Sequence, residues 1–167
     1  LKAKLRRGHL DIRADLVVGA DGRHSAVRRL AGLESVDFGA PMDVLWLRLS
    51  KRPGDGTQTL GRIKAGRLFV MLDRSDYWQC AYVIPKGGFA ALRCKGLEAF
   101  RQDLVILNPA LANRVSEIGS WDDVKLLTVR VDRLKRWHRP GVLCIGDAAH
   151  AMSPIGGVGI NLAIQDA

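Results

Sequence analysis

Two continuous runs of apolar residues lie near the ends of the chain. Residues 16–20 read LVVGA and residues 142–145 read VLCI, without the alternation of a half-exposed strand. Runs of this kind are typical of parallel strands that are buried on both faces. The first run is followed by Asp21-Gly22 and the second by Gly146-Asp147. The pattern therefore predicts two similar strand ends, each carrying an aspartate beside a glycine.

A helix is predicted after each of these strands. Ser25 is suited to cap a short helix over residues 26–31, and Gly32 is suited to end it. After the second strand, a glycine-rich loop leads to a helix that begins at Gly159. Strand, loop and helix in this order predict an α/β arrangement at both ends of the chain.

The middle of the chain has a different pattern. Short turn sequences rich in glycine, proline, serine and aspartate separate apolar segments there, and such short connections favour antiparallel pairing. Helices are predicted within residues 89–118, broken near Gly96 and Pro109. The predicted strands of this part cover residues 44–49, 57–64, 67–73, 77–84 and 124–131.

The predicted fold class is therefore α/β at the ends and α+β overall. Residues 1–34 and 135–167 are expected to be parts of one Rossmann-like domain, and residues 35–134 an antiparallel-sheet domain inserted between them. The chain opens on Leu1 rather than methionine and stops at Ala167 within a predicted helix. These ends indicate a piece of a longer polypeptide.

Composition excludes several classes of protein. Of the 167 residues 47% are hydrophobic and 26% charged, which is ordinary for a globular domain. No apolar run approaches the length of a membrane span. The net charge of +9 is spread along the chain without a basic, aromatic-rich tract, so a nucleic-acid partner is not expected.

The cysteines and histidines indicate neither a disulfide framework nor a metal site. The cysteines are odd in number and form no C-x-x-C pair, and the four histidines lack metal-ligand spacing: Cys80, Cys94, Cys144, His9, His24, His138 and His150. A cytoplasmic location is expected.

The loop after Gly146-Asp147 is the strongest candidate for chemistry. Gly156, Gly157 and Gly159 leave backbone N–H groups unobstructed just before a helix, whose start favours negative charge. Such a loop suits an anion, or a heterocycle that becomes anionic when it gains electrons. With Asp147 at the same strand end, this interpretation is favoured over a simple corner. For Asp21-Gly22 alone, a turn or a helix cap is the favoured interpretation.

Two segments resemble a known family. Residues 146–167, GDAAHAMSPIGGVGINLAIQDA, resemble the Gly-Asp motif of the flavoprotein aromatic hydroxylases of the para-hydroxybenzoate hydroxylase type, which include the ubiquinone-pathway hydroxylases. Residues 17–28, VVGADGRHSAVR, resemble the Asp-Gly motif of the same family. The order of the motifs across an antiparallel insert also matches, so the resemblance spans the chain.

The resemblance implies an FAD-dependent monooxygenase that uses NAD(P)H and O2. In this family the reduced flavin forms a C4a-hydroperoxide, which hydroxylates an aromatic or similar organic substrate, and the protein orients and tunes the cofactor. Asp147 would bind a ribityl hydroxyl, and Pro154 would lie over the reactive edge of the flavin. The cofactor-binding residues implied by the resemblance are Asp21, Arg28, Gly146, Asp147, Pro154, Gly156, Gly157, Gly159, Ile160 and Asn161.

The sequence departs from the family pattern at three points. It contains no G-x-G-x-x-G unit, so we expect residues 1–167 alone to bind FAD weakly or not at all. Ser153 replaces a common proline, and Leu16 stands where the family commonly has a charged residue.

Substrate choice is expected to depend on the inserted sheet. Trp78 and Tyr82, with Pro154, are the candidates for a substrate pocket, although core packing is the favoured interpretation of the face that also carries Cys80 and Ile84. Two alternatives stay open: a flavin-dependent reductase of the geranylgeranyl-reductase type, and a truncated binding module without a cofactor. The sequence identifies neither a catalytic acid or base nor an oligomeric state.

Overall fold

The computed structural model describes residues 2–4, 6–64 and 66–167. It forms two compact units: unit 1 consists of Leu1–Ala40 and Arg130–Ala167, and unit 2 consists of Pro41–Val129. No helix in the described part of the chain is both long and apolar enough to cross a membrane.

Short strands outnumber helices along the described chain. The strands are β1 Lys2–Lys4, β2 His9–Asp11, β3 Val17–Gly19, β4 Ser35–Asp37, β5 Met42–Ser50, β6 Leu60–Lys64, β7 Arg67–Asp73, β8 Tyr77–Pro85, β9 Lys125–Leu127, β10 Asp132–Leu134, β11 His138–Arg139, β12 Val142–Cys144 and β13 His150–Ala151. The helices are α1 Ala26–Leu30, α2 Phe89–Cys94, α3 Leu97–Leu107 and α4 Gly159–Gln165. Short 3₁₀ helices cover Pro109–Leu111, Val115–Glu117, Trp121–Asp123 and Gly146–Ala148.

Unit 1 contains the two predicted parallel strands. In the sheet of order β11-β12-β3, β12 and β3 run parallel, with Val142 opposite Val17 and Cys144 opposite Gly19. A second sheet has the order β13-β10-β4 and is antiparallel, and β1 pairs with β2. The parallel pairing confirms the prediction from the two apolar runs.

Helix α1 begins and ends where the sequence predicts. The Ser25 Oγ accepts a hydrogen bond from the Arg28 N–H at 2.9 Å, and Gly32 has a φ of +65°. Gly19 lets α1 pack closely on the sheet, because a Cβ there would lie 2.9 Å from Val27 Cγ1 and 3.1 Å from Cys144 Sγ. The glycine in β3 is therefore a packing requirement.

The expectation that β3 is buried on both faces is wrong for this chain. Leu16 is 55% exposed and Val18 49% exposed. Strand β3 is an edge strand of its three-stranded sheet, and the face that carries Val18 is left largely uncovered by the described residues.

Unit 2 is the predicted antiparallel sheet packed on helices. Its strands have the order β6-β7-β8-β5-β9, all antiparallel to their neighbours. One face of the sheet forms the core with α3, where Leu45, Phe69, Cys80, Phe100 and Leu104 are fully buried. The units together confirm the predicted fold class.

The predicted strand over residues 124–131 is shorter in the structure. Strand β9 ends at Leu127, and the N–H of Val129 donates to the side chain of Asp43, Oδ1, at 2.9 Å instead of to a backbone carbonyl of β5. The chain then enters β10, which pairs with β4. Unit 2 ends at Val129, whereas the sequence pattern predicts domain boundaries after residues 34 and 134.

Candidate functional site

The Gly146–Asp147 turn lies directly after β12. Residues Gly146–Ala148 form a 3₁₀ turn, in which the Ala149 N–H donates to the Gly146 carbonyl at 2.8 Å. Gly146 has a φ of +57°, and a Cβ added there would lie 3.1 Å from the Cβ of Ala163 in α4. Glycine is therefore required both by the backbone conformation and by the close approach of α4.

Asp147 differs from the other aspartates that are withdrawn from solvent. Its side chain is half-buried, yet within the described residues it forms no hydrogen bond or ion pair. The other buried or half-buried aspartates of the described chain each have a protein partner: Asp43, Asp55, Asp73, Asp103, Asp132 and Asp166. A carboxylate that is partly desolvated and unpaired has its acceptor capacity available for a ligand.

The glycine-rich loop after Pro154 is open. Gly156 and Gly157 have φ values of +87° and +65°, and a Cβ built on either would meet no heavy atom within 4 Å. The Gly157 N–H donates to the Pro154 carbonyl at 3.0 Å, which closes a turn. The positive φ values explain the glycines, and the open space beside them leaves room for a ligand.

Helix α4 begins at Gly159, as predicted. Its N-cap residue Val158 provides no side-chain hydrogen bond, so the first N–H groups of the helix have no intrahelical acceptor. Ile160 is 67% exposed, and Asn161 is also exposed. These N–H groups are available as donors to a ligand.

Asp21 has a partner for each of its oxygens. Its Oδ2 accepts hydrogen bonds from the N–H groups of Ala26 at 2.7 Å and Val27 at 3.1 Å, and its Oδ1 accepts one from the Ser25 hydroxyl. Burial would raise the pKa of Asp21, but these hydrogen bonds outweigh it and hold the pKa below its ordinary value. In this structure Asp21 caps α1, which is the interpretation that the sequence favoured for it.

Arg28 is buried rather than directed to solvent. Its Nη1 donates to Asp132 Oδ1 at 3.3 Å and to the Ala148 carbonyl at 3.5 Å, and its Nη2 donates to the Arg23 carbonyl at 2.8 Å. The side chains of Arg28 and Asp132 are 9% and 0% exposed. The guanidinium thus links α1 to β10 and to the turn that carries Asp147.

Trp78 and Tyr82 lie in the core of unit 2. They are 2% and 4% exposed. The ring of Tyr82 packs edge-on against Phe100 of α3, and the Trp78 Nε1 donates to Asp55 at 3.1 Å. Because α3 covers this face, core packing explains both residues, and neither is available as a substrate contact.

The opposite face of the same sheet was not predicted as a candidate. In the observed register Trp46 of β5 lies opposite Ala81 of β8, which lies opposite Val70 of β7. Trp46 and Val70 are half-buried and belong to the face that α3 does not cover. The sequence feature that could have identified this face is the presence of large side chains on both faces of β5, where Val44 and Trp46 alternate with core leucines.

The whole chain matches a family of flavin-binding proteins. All of residues 1–167 match the family model described as FAD binding domain. The chain is 41% identical over 163 residues to 6-methylpretetramide 4-monooxygenase of Streptomyces rimosus, covering 95% of this chain and 38% of that protein. It is 29% identical over 163 residues to 3-demethoxyubiquinol 3-hydroxylase of Escherichia coli (strain K12), covering 93% and 39%.

A solved structure has the same fold. A probable FAD-dependent monooxygenase from Pseudomonas aeruginosa superposes with a TM-score of 0.76 at 26% identity, over 98% of this chain and 46% of that one. The chain therefore spans less than half the length of the relatives that it matches.

Proposed function

Because the chain belongs to the family of FAD-binding domains, we propose that it is the part of an NAD(P)H-dependent monooxygenase that holds the flavin end of FAD and contacts an aromatic substrate. Family membership confirms the resemblance that residues 17–28 and 146–167 indicated, and it makes FAD the cofactor. The relatives are monooxygenases and a hydroxylase, so a reductase is not favoured. NAD(P)H as reductant and a cytoplasmic location stay predictions.

The unpaired carboxylate of Asp147 is the observation that supports this proposal best. A sugar-alcohol chain presents hydroxyl donors, and Asp147 is a half-buried acceptor without a protein partner in the described chain. The open glycine loop and the free N–H groups of α4 come after it in sequence. These residues fit the flavin and ribityl part of FAD, which when bound would supply the redox chemistry.

Each residue of the turn and the loop has a separate task in this proposal. Asp147 accepts a hydrogen bond from a ribityl hydroxyl, and Gly146 fixes the turn that presents it. Gly156 and Gly157 let the backbone approach a planar ring, and Pro154 limits the loop conformation. The N–H groups of residues 159–161 donate to polar atoms of the ring.

Asp21 and Arg28 have supporting tasks in the same proposal. Asp21 fixes the start of α1, and Arg28 fixes the turn after β12 through the Ala148 carbonyl. Both side chains already have protein hydrogen-bond partners. In this proposal they therefore contribute to binding by fixing the geometry of the site, without contacting the cofactor.

For the substrate, we propose the sheet face that carries Trp46. This face is apolar and half-buried at its centre, where the small Ala81 lies opposite Trp46 and the indole presents a flat apolar surface. Arg48 and Gln79 form the neighbouring cross-strand pair on the same face, and they place polar groups at one end of that face. A flat aromatic substrate with polar substituents at one end fits this face.

The cofactor proposal can be tested on the 167-residue chain with two neutral ligands. Riboflavin carries the ribityl chain and lumiflavin lacks it, and neither has a phosphate that would respond to the net charge of +9. Amide chemical shifts of the ¹⁵N-labelled chain, followed by NMR during each titration, detect even weak binding and locate it. The variants are Asp147→Ala and, as a matched control, Asp15→Ala, which removes an exposed carboxylate of the same unit.

We expect riboflavin to shift the amides of residues 146–149 and 156–161. A hydrogen bond to a carboxylate contributes about 1.5–3 kcal/mol, so Asp147→Ala should weaken riboflavin binding about 10- to 150-fold and leave lumiflavin binding unchanged. The Asp15→Ala variant should bind both ligands as the wild-type chain does. The proposal fails if these amides do not shift even when the chain is joined behind a strand–G-x-G-x-x-G–helix unit of a relative, or if Asp147→Ala binds riboflavin as tightly as the wild-type chain.

A second measurement separates a monooxygenase from a reductase. The chain is joined behind a strand–G-x-G-x-x-G–helix unit of a relative, and O2 consumption is measured per NAD(P)H oxidised with an aromatic substrate present. A monooxygenase consumes one O2 for each NAD(P)H and yields hydroxylated product. Substrate reduction without O2 uptake would favour the reductase alternative instead.

A further inference from the structure

Asp166 joins two parts of the same motif that are far apart in sequence. Its Oδ2 accepts a hydrogen bond from the Gly146 N–H at 2.7 Å and lies 2.7 Å from His150 Nε2. The side chains of Asp166 and His150 are only 14% and 17% exposed. Since Asp166 follows the last turn of α4, its carboxylate ties that end of the helix to the turn that carries Asp147.

Helix α4 is only partly buried in the described chain. None of its residues is fully buried, so the helix has little apolar contact to hold it. Ala163, three positions before Asp166, is the residue whose Cβ would lie 3.1 Å from a Cβ at Gly146. Residues three apart share a helix face, so the Ala163 contact and the Asp166 hydrogen bonds act on the same side of α4.

His150 is held from its other side. Its ring packs against Trp137 at 4.8 Å between centroids, tilted by 33°. In β13 it pairs with Arg133 of β10, whose guanidinium lies over the Trp137 ring at 5.9 Å. Packing on Trp137 therefore fixes the orientation of the imidazole independently of its contact with Asp166. Burial would raise the pKa of Asp166, but the hydrogen bonds from Gly146 and His150 outweigh it and lower the pKa, so the carboxylate stays ionised.

We propose that Asp166 and His150 are positioning residues for the flavin site: the pair fixes the Gly146 turn against α4 and thereby aims the carboxylate of Asp147. This assignment rests on the proposed function. Asp147 has no protein partner of its own in the described chain, so its direction depends on the backbone of the turn, and Asp166 is the side chain bonded to the first N–H of that turn.

The test compares ligand affinity with stability in the same chain. Asp166→Asn keeps the size of the side chain but removes its negative charge, so both hydrogen bonds that the oxygen accepts become weaker. His150→Phe keeps the packing on Trp137 and removes only the Nε2 contact. Gln165→Ala, an exposed position at the end of α4, is the matched control. Riboflavin affinity is measured by NMR titration and unfolding by urea, each also in an Asp147→Ala background.

We expect Asp166→Asn and His150→Phe to weaken riboflavin binding about five- to tenfold, and Gln165→Ala to leave it unchanged. In the Asp147→Ala background the same changes should have almost no effect, because they act through Asp147. A merely structural role would lower stability but leave the affinity of the folded chain, and its dependence on Asp147, unchanged.

The possible failures are distinguishable. If the wild-type chain shows no riboflavin shifts even when it is joined behind a strand–G-x-G-x-x-G–helix unit of a relative, the proposed function fails and this assignment falls with it. If the wild-type chain binds riboflavin and both variants bind it equally well, only the positioning role is overturned. Loss of affinity that is equal with and without Asp147 would also overturn it. Should Asp166→Asn not fold, His150→Phe decides by the same comparison.

Discussion

Replacing Arg28 with alanine is expected to destabilise the chain even when no ligand is present. The guanidinium is the buried partner of Asp132 and the donor to the carbonyls of Arg23 and Ala148. Since Arg28 is only 9% exposed, solvent cannot take over these interactions in the folded state. The substitution therefore leaves a buried carboxylate with one cation fewer and two carbonyls without their donor.

The expected magnitude is about 3 kcal/mol. Removal of one partner from a buried ion pair commonly costs about 3–5 kcal/mol. The lower end applies because Arg130 remains beside Asp132, with its Nε 2.7 Å from Oδ2. For a chain of this size a loss of about 3 kcal/mol lowers the melting temperature by about 6–12 °C. Arg29→Ala, at an exposed position of the same helix, should change it by less than about 2 °C.

Urea unfolding followed by circular dichroism, without flavin, measures the loss of free energy of unfolding, and thermal unfolding measures the change in melting temperature. The double variant Arg28→Ala with Asp132→Ala should be less destabilised than the two single changes added together, because it removes the pair rather than one half. The reasoning is refuted if Arg28→Ala unfolds like the wild-type chain. Unchanged stability together with weaker FAD binding would instead support the cofactor-binding role that the family resemblance implied for Arg28.

Three further outcomes are expected. Tyr82→Ala should cost about 3–5 kcal/mol in urea unfolding, because the buried ring packs against α3, whereas Trp46→Ala should weaken binding of an aromatic substrate by NMR titration with a smaller loss of stability. A thiol reagent should modify exposed Cys94 rapidly and the other two cysteines only after denaturation, since burial raises the pKa of Cys80 to about 12 and also raises that of Cys144. Burial would raise the pKa of Asp43, but the N–H groups of Gly87 and Val129 and the Lys86 ammonium lower it below its ordinary value of 3.8. The ionised Asp43 therefore stabilises the folded chain above pH 3.8, and this stabilisation is lost as the pH falls further. Asp43→Asn should therefore be less stable than the wild-type chain at neutral pH, and the difference should shrink as the pH falls below 3.8; a difference that stays constant with pH would contradict this reasoning.

The sequence predicted those elements whose signals are local. Ser25 and Gly32 bound α1 through capping chemistry, and the turn residues between β7 and β8 give those strands nearly the predicted limits. Strands β4, β10 and β13 were not predicted. Each has only two or three residues, and the pairing of β4 with β10 joins segments about 100 residues apart, which no short pattern records. The end of β9 was missed for a similar reason, since the acceptor for the Val129 N–H is Asp43.

The candidate site shows the same limit more sharply. Asp21 and Asp147 look alike in sequence, because both come after apolar parallel strands and both stand beside glycine. In the structure the Asp21 carboxylate accepts hydrogen bonds from the first turn of α1, whereas the Asp147 carboxylate has no partner in the described chain. The difference arises from the segment on the C-terminal side of each aspartate. Ala26 and Val27 bring their N–H groups within reach of Asp21, but after Asp147 the chain continues into β13 and an open loop before the next helix begins. Because the next α-helix begins only at Gly159, the Asp147 carboxylate does not cap it. Its oxygens therefore remain able to accept hydrogen bonds from a ligand. Similar sequence patterns therefore occur at both strand ends, but the distance to the following helix N-terminus determines which of the two aspartates keeps unpaired oxygens in the described chain.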